Sequence, residues 1–152
     1  MSTPRAGFLR RFAAFLTDVL ILDLAGGLLA YPLQKQFELS MDDILGPWVP
    51  GGSFSHSMIL FFLCYTLLLT LLWGFYFTFF IGWNGQTPGK KWLGIQVLLE
   101  DGQVPDTKTA FNRFIGYSVS GGPFFVGFLW ALFNKEKQTW HDKMARTIVI
   151  KL

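Results

Sequence analysis

MILFFLCYTLLLTLLWGFYFTFFI, Met58 to Ile81, is a run of 24 residues without a charged side chain. A helix rises about 1.5 Å per residue, so this run is long enough to cross the ~30 Å hydrocarbon core of a bilayer. Trp73, Tyr76 and Trp83 crowd its C-terminal end, where amphipathic rings suit the headgroup region. The stretch predicts a transmembrane helix, and two further apolar runs flank it. Phe12 to Tyr31 follows Arg5, Arg10 and Arg11, which mimics the basic flank of a signal peptide. Asp18 and Asp23 lie inside that run, however, and it ends in Ala30-Tyr31-Pro32 without an A-x-A site. It reads as an uncleaved first span, stopped near Pro32. Phe114 to Phe133 is also uncharged but is interrupted by Ser120-Gly121-Gly122-Pro123. It predicts either one kinked span or a re-entrant pair of short helices.

The composition agrees. Of 152 residues, 51% are apolar and 15% charged, whereas a soluble domain carries about 25% charged residues. Disorder, a collagen-like fibre and an ordinary soluble domain are excluded. The chain reads as a single membrane domain over residues 1–152: an all-α bundle with two firm spans (12–31 and 58–81) and a broken third segment (114–133). No internal repeat or low-complexity segment is visible. Gly94 to Leu99 and Thr147 to Leu152 read as short strands able to pair outside the lipid, where open sheet edges are tolerated.

Three Lys/Arg precede Phe12, one lies in 32–57, four in 82–113 and five after Phe133. The positive-inside rule places the first, third and fourth of these segments in the cytoplasm. Both termini are therefore expected inside a bacterial inner (plasma) membrane, with 114–133 folding as a hairpin that returns to the same side.

Arg11 and Asp18, seven residues apart, fall within about 20° of one helix face, with Asp18 about 10 Å deeper. Arg11 can snorkel to the interface and Asp18 cannot. A carboxylate there costs on the order of 2.5–3.5 kcal/mol and demands a cation, donors, water or protonation. Two readings stand side by side: a structural pair that fixes helix packing, and a carboxylate that handles an ion or proton. Asp23, about 140° around the helix from Asp18, is expected to bond to another helix or subunit, with Thr66 or Thr70 as partners. Arg113 and Asp142 are expected to join Arg11 and Asp18 in a charge cluster at the cytoplasmic mouth, with His141, beside Asp142, a secondary candidate.

Other chemistries find little support. Cys64 is alone and His56 and His141 are the only imidazoles, so neither a disulfide nor a metal site is expected, and no cofactor. Gly85 to Lys91 superficially resembles a phosphate loop. However, Asn84 and Lys91 occupy positions where that pattern needs Gly and Ser/Thr, and Pro88 removes a donor. Lys90 and Lys91 are instead expected to touch anionic headgroups. The basic stretches are short and flank spans, so nucleic acid is not an expected partner. Ser118 and Ser120 have no His near them in sequence, and no enzyme activity is expected.

Three segments together resemble the RDD family of membrane proteins, named for one arginine and two aspartates. They are Gly7 to Ala14 leading to Asp18, Gln86 to Lys90 through Gly94 to Val97, and Gln138 to Val149. The resemblance covers nearly the whole chain and implies Arg11, Asp18 and Asp142 as the naming residues, with Arg10 an alternative for the first. Trp140 departs from it, standing where an apolar residue is usual. The resemblance implies transport, some members being similar to cation/proton antiporters, or alternatively a membrane adaptor that assembles larger complexes. The leading expectation is transport of a small ion or solute by the Arg/Asp cluster. The chain would act as a homo-oligomer or with a membrane-protein partner, helped by close contacts at Gly26-Gly27 and Gly121-Gly122. A third reading is an anionic-lipid-binding protein using Lys90, Lys91 and the tail.

Overall fold

The computed structural model describes residues 4–49, 51–121, 126–134 and 136–152, without the side chain of Met41. The elements are α1 (Phe8–Gln36), α2 (Met41–Leu45), a 3-10 turn (Gly46–Trp48), α3 (His56–Asn84), α4 (Pro88–Trp92), β1 (Ile95–Leu99), α5 (Thr107–Gly121), α6 (Val126–Phe133), α7 (Trp140–Met144) and β2 (Thr147–Lys151). The protein is thus mostly helical. α1 and α3, 29 residues each, are long and apolar enough to cross a bilayer, and α5 with α6 qualifies only as a bent pair whose axes meet at 95°. Gly122 and Pro123, half of the expected break and of the Gly121-Gly122 contact, lie outside the described residues.

Two boundaries need correction. α1 does not stop at Pro32 but runs one turn past it, because a proline near the end of a helix forfeits a single N–H. The helix closes instead at Glu38, left-handed at φ 50. There Leu39 donates to the Gln34 carbonyl at 3.3 Å and Glu38 to the Lys35 carbonyl at 3.1 Å, the paired bonds of a Schellman end. α5 begins at Thr107 rather than near Phe114, since Asp106 caps it by accepting from the Thr109 N–H at 2.9 Å. Its first turns are polar and invisible to hydropathy, and Arg113 lies well inside the helix.

Two compact units divide the chain, and α1 and α3 each contribute to both. The first unit is Ile21–Trp73. A Cβ on Gly26 would come within 2.7 Å of Leu69 Cδ2, so the glycine permits α1 and α3 to approach within this chain. Phe61 stacks on Tyr65 and meets Phe37 edge-on. Leu28 and Leu63 point outward at 79% and 63% exposure, as lipid-facing side chains do.

The second unit joins the chain up to Leu20 with Gly74–Leu152. β1 and β2 pair antiparallel with Val97 opposite Val149, and the N-terminal segment adds a bridge between Arg5 and Ile150. The sheet is not alone in recurring. A shift of 52 residues aligns 85–99 with 137–151 element by element, an internal repeat where none is expected from the sequence. Gly85 and Lys137 both have positive φ, Thr87 and Thr139 cap five-residue helices, Gly94 and Arg146 again have positive φ, and a five-residue strand follows each. Gln86 donates to the Ile95 carbonyl at 2.9 Å, and Gln138 to the Thr147 carbonyl at 3.1 Å. Ile95 faces Lys151 and Leu99 faces Thr147, so the strand register itself obeys a local twofold through the Val97–Val149 pair. Only Gln86, Thr87, Lys91 and Val97 keep their residue type in the second copy, which is why the repeat escapes the eye.

Candidate functional site

Asp142 occupies the third position of α7 and has no exposed surface. Its Oδ2 accepts from the Thr139 N–H at 2.9 Å while Thr139 Oγ1 accepts from the Asp142 N–H, a capping box that fixes the carboxylate. The same Oδ2 accepts from Arg11 Nη2 at 2.8 Å. Oδ1 is held by Arg113 Nη2 at 2.5 Å, a contact of charge rather than of aligned hydrogen bonding. The arginines are themselves anchored: Arg11 Nη1 donates to the Lys137 carbonyl at 2.8 Å, and Arg113 Nη1 donates to Thr147 Oγ1. Burial alone would raise the Asp142 pKa. The two guanidiniums outweigh it and hold the carboxyl well below the usual range.

Asp18 is equally buried and sits against the start of α4. Tyr76 donates to Oδ1 at 2.8 Å, the Gly89 N–H to Oδ1 at 2.8 Å, and Thr87 Oγ1 to Oδ2 at 2.5 Å, with Lys90 Nζ at 3.6 Å from Oδ2. Gly89 is required here, because a Cβ would lie 2.7 Å from Asp18 Oδ1.

The repeat relates the two centres. Lys90 and Asp142 hold the same position, third in their short helices, and carry opposite charges. Arg11 and Asp18 lie on one face of α1, as their spacing predicts, and each meets the oppositely charged member of the repeat. Arg113 is the fifth charge, so three cations surround two carboxylates.

His141, next to Asp142 on α7, is buried against α5. Its Nε2 lies 2.8 Å from Thr139 Oγ1 and its Nδ1 lies 3.1 Å from Ser120 Oγ. Burial lowers its pKa well below the ordinary value; Asp142 opposes this, and Arg113 and Arg11 reinforce it. The fold thus brings together a Ser–His pair that sequence distance had hidden. Ser120 also accepts from the His141 N–H at 3.2 Å and is fully buried, which makes it a packing contact between α5 and α7. Gly116 completes that contact, since a Cβ there would meet His141 Cβ at 2.8 Å.

Other expectations change. Lys90 is not a headgroup-facing lysine: it is 6% exposed, directed at Asp18 and at the Phe77 ring 5.4 Å away, whereas Lys91 is exposed. Asp23 is exposed, and the bond anticipated from Thr66 or Thr70 is absent among the described residues. Thr70 Oγ1 donates instead to the Thr66 carbonyl, as a lone hydroxyl in an apolar helix does. Arg10 is exposed, whereas Arg11 joins the network. Tyr76, Thr87, Thr139 and Thr147 were not foreseen. The twice-occurring Gln-Thr pair was the signal for the two capping threonines.

The uncharacterized protein YxaI of Bacillus subtilis (strain 168) is 27% identical over 147 residues, covering 95% of this chain and 96% of that one. No solved structure matches. The RDD family matches residues 5–146, which include both carboxylates and all three cations. This chain belongs to the RDD family, whose members are membrane-associated.

Proposed function

We propose that the protein is a multi-pass membrane protein that moves a small ion or solute, with the Arg11–Asp142–Arg113 and Asp18–Lys90 networks as its charged centre. The observation that carries this reading is a largely apolar pocket of about 190 Å³ whose wall includes Arg11, Lys90, Arg113 and His141. A purely structural ion pair is cheaper when packed without a void beside it. Cation/proton exchange is one form of this activity, and it requires Asp18 or Asp142 to release a protein donor in favour of the cation.

The topology we infer has both termini on the cytoplasmic side of a bacterial inner membrane. Two features support it besides the charge count. Lys151 donates to the Pro4 carbonyl, so the termini share a side. The chain lies beside the sheet both before α5, where Leu99 donates to the Gln103 carbonyl, and after α6, where Arg5 reaches Glu136, as a re-entrant pair would.

The second reading, a membrane adaptor without transport, draws on the saturation of Asp18 by three donors and a lysine, which suits a packing lock. Sealed liposomes holding the purified protein and a pH-sensitive dye separate the two. Under the first reading, pulses of sodium, potassium or lithium move protons. Asp18→Asn abolishes the movement, and Tyr76→Phe, which removes one donor and no charge, alters its rate. A signal no greater than that of empty liposomes, from protein shown to be folded, removes these three cations as substrates. Under the second reading Asp18→Asn impairs assembly.

A further inference from the structure

The cavity's wall is chemically lopsided. Phe12, Phe15 and Phe128 line its apolar side, and Arg11, Lys90 and Arg113 are its charged members. Neither Asp18 nor Asp142 borders it, because both are turned into their own donor sets. Lys90 and Arg113 are 6% and 2% exposed, so their charges are poorly screened by water. Among the described residues the buried Nε atoms of Arg11 and Arg113 have no acceptor. Among the described residues three cations stand against two carboxylates, which leaves the cluster one positive charge in excess, a costly condition in a buried site. A single negative charge delivered through oxygen would balance the cluster. The volume sets the scale of what accompanies that charge: an apolar cavity of roughly 150 Å³ already admits a benzene ring, and this one is about 190 Å³.

We propose that the cavity binds a singly charged oxyanion attached to an apolar body, with Arg11, Lys90 and Arg113 facing the oxyanion and Phe12, Phe15 and Phe128 holding the body. Two sources offer this chemistry, a free organic acid and an anionic phospholipid. The inference does not depend on transport, and binding is measured at equilibrium with no gradient.

Equilibrium dialysis of labelled phenylacetate against the full chain in phosphatidylcholine nanodiscs tests the first source, with empty discs as the blank. Saturable binding is expected, weakly displaced by the uncharged phenylacetamide. Lys90→Met, which keeps the side-chain length and removes the charge, is expected to weaken binding about tenfold or more, the usual scale for a charge-assisted contact. Leu129→Trp keeps every charge and fills the cavity from a partly exposed wall position, and is expected to abolish binding even if Lys90→Met fails to fold. Native mass spectrometry of protein taken from phosphatidylglycerol-containing discs tests the second source. A lipid retained by the wild type and lost from Leu129→Trp identifies the phospholipid. Folded wild type that neither binds phenylacetate nor retains phosphatidylglycerol overturns the proposal. So does binding that phenylacetamide displaces equally well or that Leu129→Trp leaves unchanged.

Discussion

A carboxylate with no exposed surface persists only if its partners offset the loss of water, and Asp142 is held by two guanidiniums and a backbone N–H. The pH dependence of stability follows from the directions of two shifts at neighbouring residues. Asp142 has a folded pKa below that of an unfolded aspartate, near 3.9. Its contribution is present in full above that value and is lost only as pH falls towards the depressed folded one. His141 is also depressed, from an unfolded value of about 6.5. Below that pH the unfolded chain takes up a proton that the folded chain refuses, so stability falls with falling pH by up to about 1.4 kcal/mol per unit. The expected outcome is a thermal midpoint that is level between pH 8 and 7 and declines between pH 6 and 5. His141→Gln, which keeps a hydrogen-bonding side chain, should flatten that decline. An equal decline in the variant assigns the proton to another group.

At the scale of elements, the two short helices are organised by what approaches their first turns. α4 receives Asp18 at the Gly89 N–H, and that approach leaves no room for a side chain. Alanine normally stabilises a helix relative to glycine by about 1 kcal/mol, so the sign of Gly89→Ala is diagnostic. The displaced Asp18 should cost about 1–3 kcal/mol instead. Gly7→Ala, where a Cβ meets nothing within 4 Å, should change stability by less than about 0.5 kcal/mol. Thermal unfolding of the two variants beside the wild type checks both, and a stabilised Gly89→Ala would refute the tight seat. These elements also mark where sequence reading stops. The two long helices were legible because hydropathy is additive along a chain, and the paired strands because β-branched residues cluster at 147–150. Arg11 and Asp18 were legible as one face because helical periodicity is local. α4 and α7 were not, since five residues make too short a period and their order comes from threonine caps. The burial of Lys90 was hidden for the same reason: its partner is 72 residues away, on α1.

At the scale of the whole molecule, Asp23 is a charge that the described residues do not accommodate. It lies 15 residues into α1, about 22 Å from the helix start, on an exposed surface. Leu20 and Leu24 beside it are 64% and 73% exposed, a surface suited to lipid. A charged side chain there costs on the order of 2.5–3.5 kcal/mol, and among the described residues no hydrogen bond or ion pair offsets it. A second copy of the chain can offset that cost, because a twofold contact through α1 withdraws the side chain from lipid and sets the partner's polar groups beside it. The expected state in a bilayer is therefore a homo-oligomer. Asp23→Leu should shift it towards the monomer without lowering the monomer's thermal midpoint, and Asp23→Asn, which still donates and accepts, should retain more oligomer than leucine does. Single-molecule photobleaching in liposomes at increasing protein dilution reads the populations directly. A wild type that is monomeric at every dilution, or a leucine variant that associates as strongly as the wild type, would mean that another molecule satisfies Asp23.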